Sequence, residues 1–122
     1  MESFDDILCK LTIGNDEFIE RVLGAKEANL AASALDPRTH ALVRIASLIS
    51  VDAMPAAYTW AVESARSSGA TDEEIVGCLV AAMPALGAAR VASAAPKLGL
   101  ALGYDVAAAL EDSGVPVADS LS

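Results

Sequence analysis

The uncharged, strongly apolar run from Ile75 to Ala89 constrains the fold of this chain more than any other feature of its sequence. A helix that crosses a membrane needs about 20 apolar residues, and Arg90 ends the run too early for that. Apolar side chains occupy every side of the helix that this run predicts, so we expect protein to cover it on all faces. The chain has 122 residues, which suits one domain with a substantial core.

Start and stop signals divide the rest of the chain into short helices. Side chains suited to capping a helix N-terminus stand at four positions, two of them in capping boxes: Ser3, Asn15, Asp36 and Thr71. Proline opens a helix after two of the connections, and glycine ends three segments, at Gly14, Gly24 and Gly69. Pro84 and Pro96 fall inside predicted helices, where proline removes a hydrogen bond, so we expect each to kink or interrupt its helix.

The composition favours helices over strands. Hydrophobic residues make up 54% of the chain and aromatic residues only 4%, with alanine the dominant apolar type. No credible strand is present, so we predict an all-α fold of about five to six helices in a single domain, residues 1–122. Residues 1–34 are expected to form N-terminal helices and residues 111–122 a loose tail.

A chain of this length has few helices with which to cover two strongly apolar ones, the run that begins at Ile75 and the segment around Val91. Burial against a second copy of the same chain is the simplest remedy. We therefore predict a homo-oligomer with a hydrophobic helical interface.

The charge balance excludes some partners. The formal net charge is -9 and the isoelectric point is about 4.3, so a nucleic-acid backbone would be repelled. There is no basic cluster for an anionic membrane surface. The first residues, MESFDDILCK, are acidic where a signal peptide would be basic, and we expect a cytoplasmic protein.

The cysteines and the histidine form no recognisable site. Cys9 and Cys78 are far apart and make no CxxC pattern, so we expect two buried, reduced thiols. His40 has no neighbouring cysteine or carboxylate cluster, so we predict no metal site, and we expect no cofactor.

Three segments in order, LDPRTHALVRIASL, WAVESARSSGATDEEIVGCLVAA and LGLALGYD, resemble the carboxymuconolactone decarboxylase family, which includes the AhpD-like alkylhydroperoxidases. The resemblance covers roughly residues 35–105. It implies an all-helical, AhpD-like domain that assembles as a trimer or a hexamer.

For the peroxidase branch of that family, the resemblance implies a motif of a glutamate, a CxxC pair and a histidine four residues after the second cysteine. Counting back from Gly69 places these positions on Ala41, Met54, Ala57 and Ala61. An alanine side chain cannot ionise, attack peroxide or transfer a proton. We therefore predict that thiol peroxidase activity is absent.

The decarboxylase branch looks as if it uses a histidine at the position of Ala61, with polar neighbours one turn earlier. Here that turn holds Ala56 and Ala57, so this second set is also missing. The resemblance then supports the fold and leaves both active sites of the family without their reactive groups.

A candidate pocket remains around the helix that would carry the family's site, lined by His40, Arg44, Tyr58, Ala61 and Glu63. Arginine suits a carboxylate, which is why Arg44 and Arg90 are of interest. Histidine, tyrosine and glutamate can handle protons. The simpler interpretation of the arginines is a solvated edge or an ion pair between subunits, and that of Glu63 is a surface pair with Arg66. His40 would then be solvated or at an interface, and Tyr58 would pack in the core or at an interface.

Three interpretations of function stay open. The first is a helical oligomer that binds a small apolar or carboxylate ligand, or serves assembly. The second is a non-thiol decarboxylase or lyase acting on a small organic acid or lactone, with Arg44 on the carboxylate. The third is a structural subunit that acts with an active paralogue. A buried polar cluster around Arg44, Tyr58 and Glu63 would favour the enzyme.

Overall fold

The computed structural model describes residues 2–114, and contacts between residues divide the chain into two compact units, 1–40 and 41–122. The described residues form eight helices and no strand, as the composition predicts. The helices are α1 Phe4–Thr12, α2 Asp16–Gly24, α3 Lys26–Ser33, α4 Pro37–Ser50, α5 Pro55–Ser67, α6 Asp72–Leu86, α7 Ala88–Ala101 and α8 Val106–Asp112. Eight helices exceed the expected five to six. Three short helices in the first forty residues and α8 near the C-terminus add to the four longer helices α4 to α7.

The predicted helix caps are confirmed. The Ser3 hydroxyl accepts from Asp6 N and the Asn15 side chain accepts from Phe18 N, which starts α1 and α2. The Asp36 carboxylate accepts from Thr39 N at 2.8 Å in the first turn of α4. Each cap satisfies a backbone N–H that the helix itself leaves without a partner.

The N-terminal unit packs α1 and α3 against α2 around Phe18, which is 4% exposed. The ammonium group of Lys10 and the guanidinium of Arg21 lie 5.7 and 5.4 Å from the centre of the Phe18 ring. Glu2 forms ion pairs with both cations. The cations thereby stay solvated on one side while their stems cover the ring.

The second unit is built around α7, which packs against both α5 and α6. Ile45 and Ile49 of α4, Tyr58 of α5, Ile75 of α6 and Leu98 of α7 are fully buried in one hydrophobic cluster. Small residues such as Ala65 and Ala94 lie between them and allow the helices to approach closely. This unit carries four of the five residues of the candidate pocket, and His40 belongs to the first unit.

The two interior prolines do not end their helices. α6 continues through Pro84 to Leu86, and α7 continues through Pro96 to Ala101. A proline removes one intrahelical hydrogen bond, and the bonds of the turns on either side suffice to continue each helix here. Gly87 separates α6 from α7 with φ of 87°, a conformation that a side chain would disfavour.

The single chain covers only part of α6, which is consistent with the expectation that too few helices remain to bury it. Ile75 is fully buried, but Val76, Val80 and Met83 are 44%, 66% and 40% exposed. These three residues are four and three positions apart, so they share one face of the helix. We call them the α6 stripe.

The C-terminal part of the chain is described only in part. α8 ends at Asp112, so the first two residues of the expected tail are helical. The rest of that tail, from residue 115 onward, lies outside the described residues. None of the helices in residues 2–114 is long and apolar enough to span a membrane.

Candidate functional site

The residues of the expected pocket are divided between the core and the surface. Tyr58 and Ala61 of α5 are buried, at 0% and 8% exposure. Glu63, on another side of the same helix, is exposed, and Arg44 of α4 is also exposed. The structure therefore brings Tyr58 and Ala61 together in the core and leaves Arg44 and Glu63 outside the buried cluster.

The hydroxyl group of Tyr58 is the most unusual polar atom of this region. It is buried, and it has no hydrogen-bond partner among the described residues. Burial raises the pKa of this hydroxyl above its usual value, and the negative charge of Asp52 raises it further. A buried hydroxyl without a partner costs about 1 to 3 kcal/mol. Burial of this hydroxyl therefore lowers the free energy of unfolding, while burial of the ring raises it.

His40 is buried instead of solvated. It is 6% exposed, and its Nε2 lies 2.7 Å from the Oδ1 of Asn29 within the N-terminal unit. The Nδ2 of Asn29 donates to the carbonyl of Val22 at 2.9 Å. Oδ1 of Asn29 must then be an acceptor, which assigns a proton to His40 Nε2. Within the N-terminal unit, the hydrogen bonds of Asn29 connect His40 to α3 and α2.

Tyr58 and Trp60 lie on different faces of α5, as their spacing predicts. Tyr58 is fully buried, whereas Trp60 is 79% exposed.

The Arg66 guanidinium pairs with Asp72 through two hydrogen bonds of 2.9 and 3.0 Å, and also donates to the carbonyl of Leu102. Its partner is therefore not Glu63, which sequence spacing had suggested.

A polar cluster that sequence analysis did not identify joins the α4–α5 connection to α7. Lys97 Nζ donates to Asp52 Oδ1 at 2.9 Å and to the carbonyl of Ala53 at 3.2 Å. The Ser93 hydroxyl donates to Asp52 Oδ1 at 3.1 Å. Hydrogen bonds from Lys97 and Ser93, and then the charges of Lys97 and Arg90, lower the pKa of the Asp52 carboxyl.

One signal for this cluster is present in the sequence. Arg90, Ser93 and Lys97 recur three and four residues apart, which places them on one side of an otherwise alanine-rich helix. Their acceptor, Asp52, lies 41 and 45 residues from two of them. Such a long-range pair follows from the packing of α5 on α7 and has no local sequence pattern.

The model of the carboxymuconolactone decarboxylase family matches residues 16–98, which is more than half of the chain. The chain belongs to this family. Comparisons with curated proteins and with solved structures gave no match. Family membership and the all-helical structure agree with the resemblance that the sequence shows.

The positions to which the resemblance assigns the family's reactive groups hold apolar side chains in packed or exposed settings. Ala41 and Ala61 lie in the hydrophobic core beside Ile45 and Tyr58. Met54 is 75% exposed in the connection before α5. Ala57 is half-buried one turn before Ala61.

The two cysteines of this family member are single thiols in different surroundings. Cys9 is exposed on α1, which corrects the expectation of a buried thiol. Cys78 is half-buried on α6, and its Sγ approaches the carbonyls of Glu74 and Leu42 at 3.5 and 3.6 Å. Burial raises the pKa of the Cys78 thiol. A raised pKa disfavours the thiolate, which is the form that attacks peroxide.

Metal binding has no support in the described part of the chain. Residues 2–114 contain no group of three or more histidine, cysteine, aspartate or glutamate side chains arranged to hold an ion. The polar features of this region lie at the Tyr58 hydroxyl and in the Asp52 cluster.

Proposed function

We propose that this member of the carboxymuconolactone decarboxylase family works as a helical homo-oligomer and carries out no thiol redox chemistry. The α6 stripe supports the first part. Three apolar side chains on one helical face are 40% to 66% exposed, and an apolar surface of this kind marks an interface.

A second copy of the chain is the partner that fits this surface. The run from Ile75 to Ala89 carries no charge, although the chain has 25 charged residues, 8 basic and 17 acidic. A charged partner would find nothing to pair with there. Two copies related by a twofold axis can lay the same stripe against itself. Twofold axes occur in dimers and in hexamers with dihedral symmetry, and the resemblance predicts a trimer or a hexamer.

Sedimentation of the purified chain and of a Val80→Glu variant tests this assembly. The wild-type chain should sediment as a multiple of 12.4 kDa, and Val80→Glu should shift it to the monomer, since two buried carboxylates would oppose each other. Val43→Glu places the same charge on α4, at a valine that is 50% exposed, and serves as the control. A wild-type monomer, or a multimer that Val80→Glu leaves intact, would refute the proposed interface.

The second part of the proposal rests on the motif positions, where Met54, Ala57 and Ala61 stand in place of thiols and imidazole. We expect no peroxide reduction with a dithiol reductant above the rate in buffer. The peroxide consumption of the wild type, Cys9→Ser and Cys78→Ser should be equal. A rate well above buffer that Cys78→Ser abolishes would show that the chain has a working thiol.

No observation favours the alternative of a non-thiol decarboxylase or lyase. That interpretation places Arg44 on the carboxylate of the substrate and gives the proton to Tyr58, Glu63 or His40. Arg44 and Glu63 are exposed, and Tyr58 is buried. Assembly is therefore the function that the observed surface supports best, and any catalysis would need other groups.

A further inference from the structure

A groove lies beside the α6 stripe, between the first half of α6 and the last turns of α7. Its volume is about 500 Å³, and its mainly apolar walls include Asp72, Val76, Gly99, Leu102 and Tyr104. We call it the α6–α7 groove. All of these residues belong to the second unit. Apolar cavities of about 300 to 1,000 Å³ are the sites in which proteins bury a ligand or an anchoring side chain of a partner.

The groove and the α6 stripe lie on the same face of α6. Asp72 and Val76 are four residues apart, and Val80 and Met83 follow at intervals of four and three, which is the spacing of neighbours on one helical face. Val76 belongs to both surfaces and is 44% exposed, and Tyr104 at the groove is 60% exposed. A partner helix laid along the α6 stripe therefore also passes the groove.

A second copy that covers the α6 stripe needs the surface of the groove as well. Stable interfaces between proteins bury about 1,200 to 2,000 Å² in total, and three side chains per copy that are already part-covered fall short of that area. The second copy also carries a side chain suited to the groove, because its own stripe ends at Met83, which is 40% exposed. Methionine is unbranched and flexible, so it adapts to an irregular cavity.

Charge determines the direction in which two α6 helices pack. The first turn of α6 carries Asp72, Glu73 and Glu74, and Arg66 pairs with one of these carboxylates. Parallel helices would bring the two acidic turns to within about 8 to 10 Å of each other. Antiparallel helices that cross at Val80 hold them about 20 Å apart, since each residue adds about 1.5 Å. Salt screens charges over about 8 Å, so most of the repulsion is then lost.

The opposite end of α6 is complementary in charge. The run from Ile75 to Ala89 is uncharged, and the first charged residue after it is Arg90, which is exposed near the start of α7. In the antiparallel arrangement, the acidic turn of one copy lies toward the end of the helix pair at which the other copy carries Arg90. Opposite charges therefore lie toward the same end of the pair, and the apolar residues lie between the two ends.

We propose that two copies pack their α6 helices antiparallel across a twofold axis near Val80, and that Met83 of each copy inserts into the α6–α7 groove of the other. Met83 is three positions after Val80 and Val76 is four positions before it, so this crossing places the partner's Met83 beside Val76 at the edge of the groove. Each groove is complete only with the partner's methionine in it. This inference rests on the proposed assembly through the α6 stripe and goes further, because it fixes the direction of the helices and the residue that is bound.

Disulfide cross-linking tests the direction of the helices. The variants Val76→Cys, Val80→Cys and Met83→Cys are made in a chain in which Cys9→Ser and Cys78→Ser remove the native thiols. A disulfide requires Cα atoms about 4.4 to 6.8 Å apart. Val80→Cys should therefore cross-link to itself under mild oxidation. A mixture of Val76→Cys with Met83→Cys should also cross-link, whereas either of these two variants alone should not.

The outcomes separate this inference from the proposed assembly. Cross-linking of Val76→Cys to itself and of Met83→Cys to itself would show parallel helices, which overturns the inference and leaves assembly through the α6 stripe intact. Cross-linking of Val80→Cys alone would overturn the contact between Met83 and Val76. If no variant or mixture cross-links, the α6 stripe is not an interface, and the inference fails with the assembly.

Met83→Ala tests the insertion of the side chain into the groove. It should raise the dissociation constant of the assembly at least about tenfold, because each pair of copies buries two methionine side chains. Met54→Ala removes the same side chain at a position that is 75% exposed in the α4–α5 connection, and it should leave the dissociation constant unchanged. Equal effects of the two substitutions would overturn the insertion of Met83. Sedimentation measures the constants, and circular dichroism confirms that both variants are folded.

Discussion

At the scale of single residues, Tyr58 and Trp60 show how much position on one helix decides. Both are aromatic residues of α5, two positions apart, yet Tyr58 is fully buried and Trp60 is 79% exposed. The tyrosine contributes a large apolar ring to the core and a buried hydroxyl that has no hydrogen-bond partner within residues 2–114. Burial of the ring stabilises the folded state, and burial of the hydroxyl oxygen destabilises it.

The substitution Tyr58→Phe tests that balance. Removing the hydroxyl leaves the ring in place and relieves the buried polar atom, so the free energy of unfolding should rise by about 1 kcal/mol. Urea unfolding measures it. Tyr104→Phe, at a tyrosine that is 60% exposed, is the control and should be neutral. A loss of stability in Tyr58→Phe would mean that the hydroxyl has a partner in solution.

At the scale of elements, the helices begin where side chains close the first turn. Thr71 accepts from Glu74 N at 3.1 Å, and Thr71 N donates to the Glu74 carboxylate at 2.9 Å. Three acidic residues in the same turn complement the positive end of the helix dipole. These contacts span three residues, which is why the start of α6 is visible in the sequence.

Thr71→Ala should lower the free energy of unfolding by about 1 kcal/mol, because it leaves the Glu74 N–H without its acceptor. Thr71→Ser keeps the hydroxyl and should restore most of the loss. Thermal or urea unfolding at one protein concentration compares the three proteins. An equal loss in the serine and alanine variants would assign the effect to the lost methyl group and contradict the role of the cap.

At the scale of the whole molecule, ion pairs with lowered carboxyl pKa values link stability to pH. Lys97 and Ser93 lower the pKa of Asp52, and Arg66 lowers the pKa of Asp72. Burial raises the pKa of the Tyr58 hydroxyl. Protonation of the carboxylates and ionisation of the tyrosine both oppose the folded state.

Stability should therefore be highest between these two limits. The contribution of Asp52 and Asp72 is present above the pKa of an unfolded aspartate, about 3.9, and is lost as pH falls through their lower folded values. The contribution of Tyr58 is present below the pKa of an unfolded tyrosine, about 10, and is lost above it. Urea unfolding as a function of pH measures the curve, at fixed protein concentration because assembly adds to apparent stability.

The variant that carries both Asp52→Asn and Asp72→Asn is the check on the acid side. It should be less stable than the wild type at neutral pH and should lose less stability on acidification. The same acid loss in both proteins would place the linkage on other carboxylates, such as Glu2 and Asp36, whose pKa values are also lowered.

The sequence by itself determined the helical class, the family and most helix starts of this protein. These features depend on side chains within one or two turns of each other, or on an order of segments that can be compared directly. From the resemblance, it also predicts that alanines stand at positions where the family keeps its reactive groups.

Only the tertiary structure decided which groups meet. Arg44 and Glu63 are exposed while Tyr58 is buried, and the partners of Arg66 and Lys97 are Asp72 and Asp52. The exposure of the α6 stripe likewise depends on how few helices remain to cover it. Long-range packing sets burial and the pairing of Lys97 with Asp52, and residues 45 positions apart leave no periodic signal of their contact.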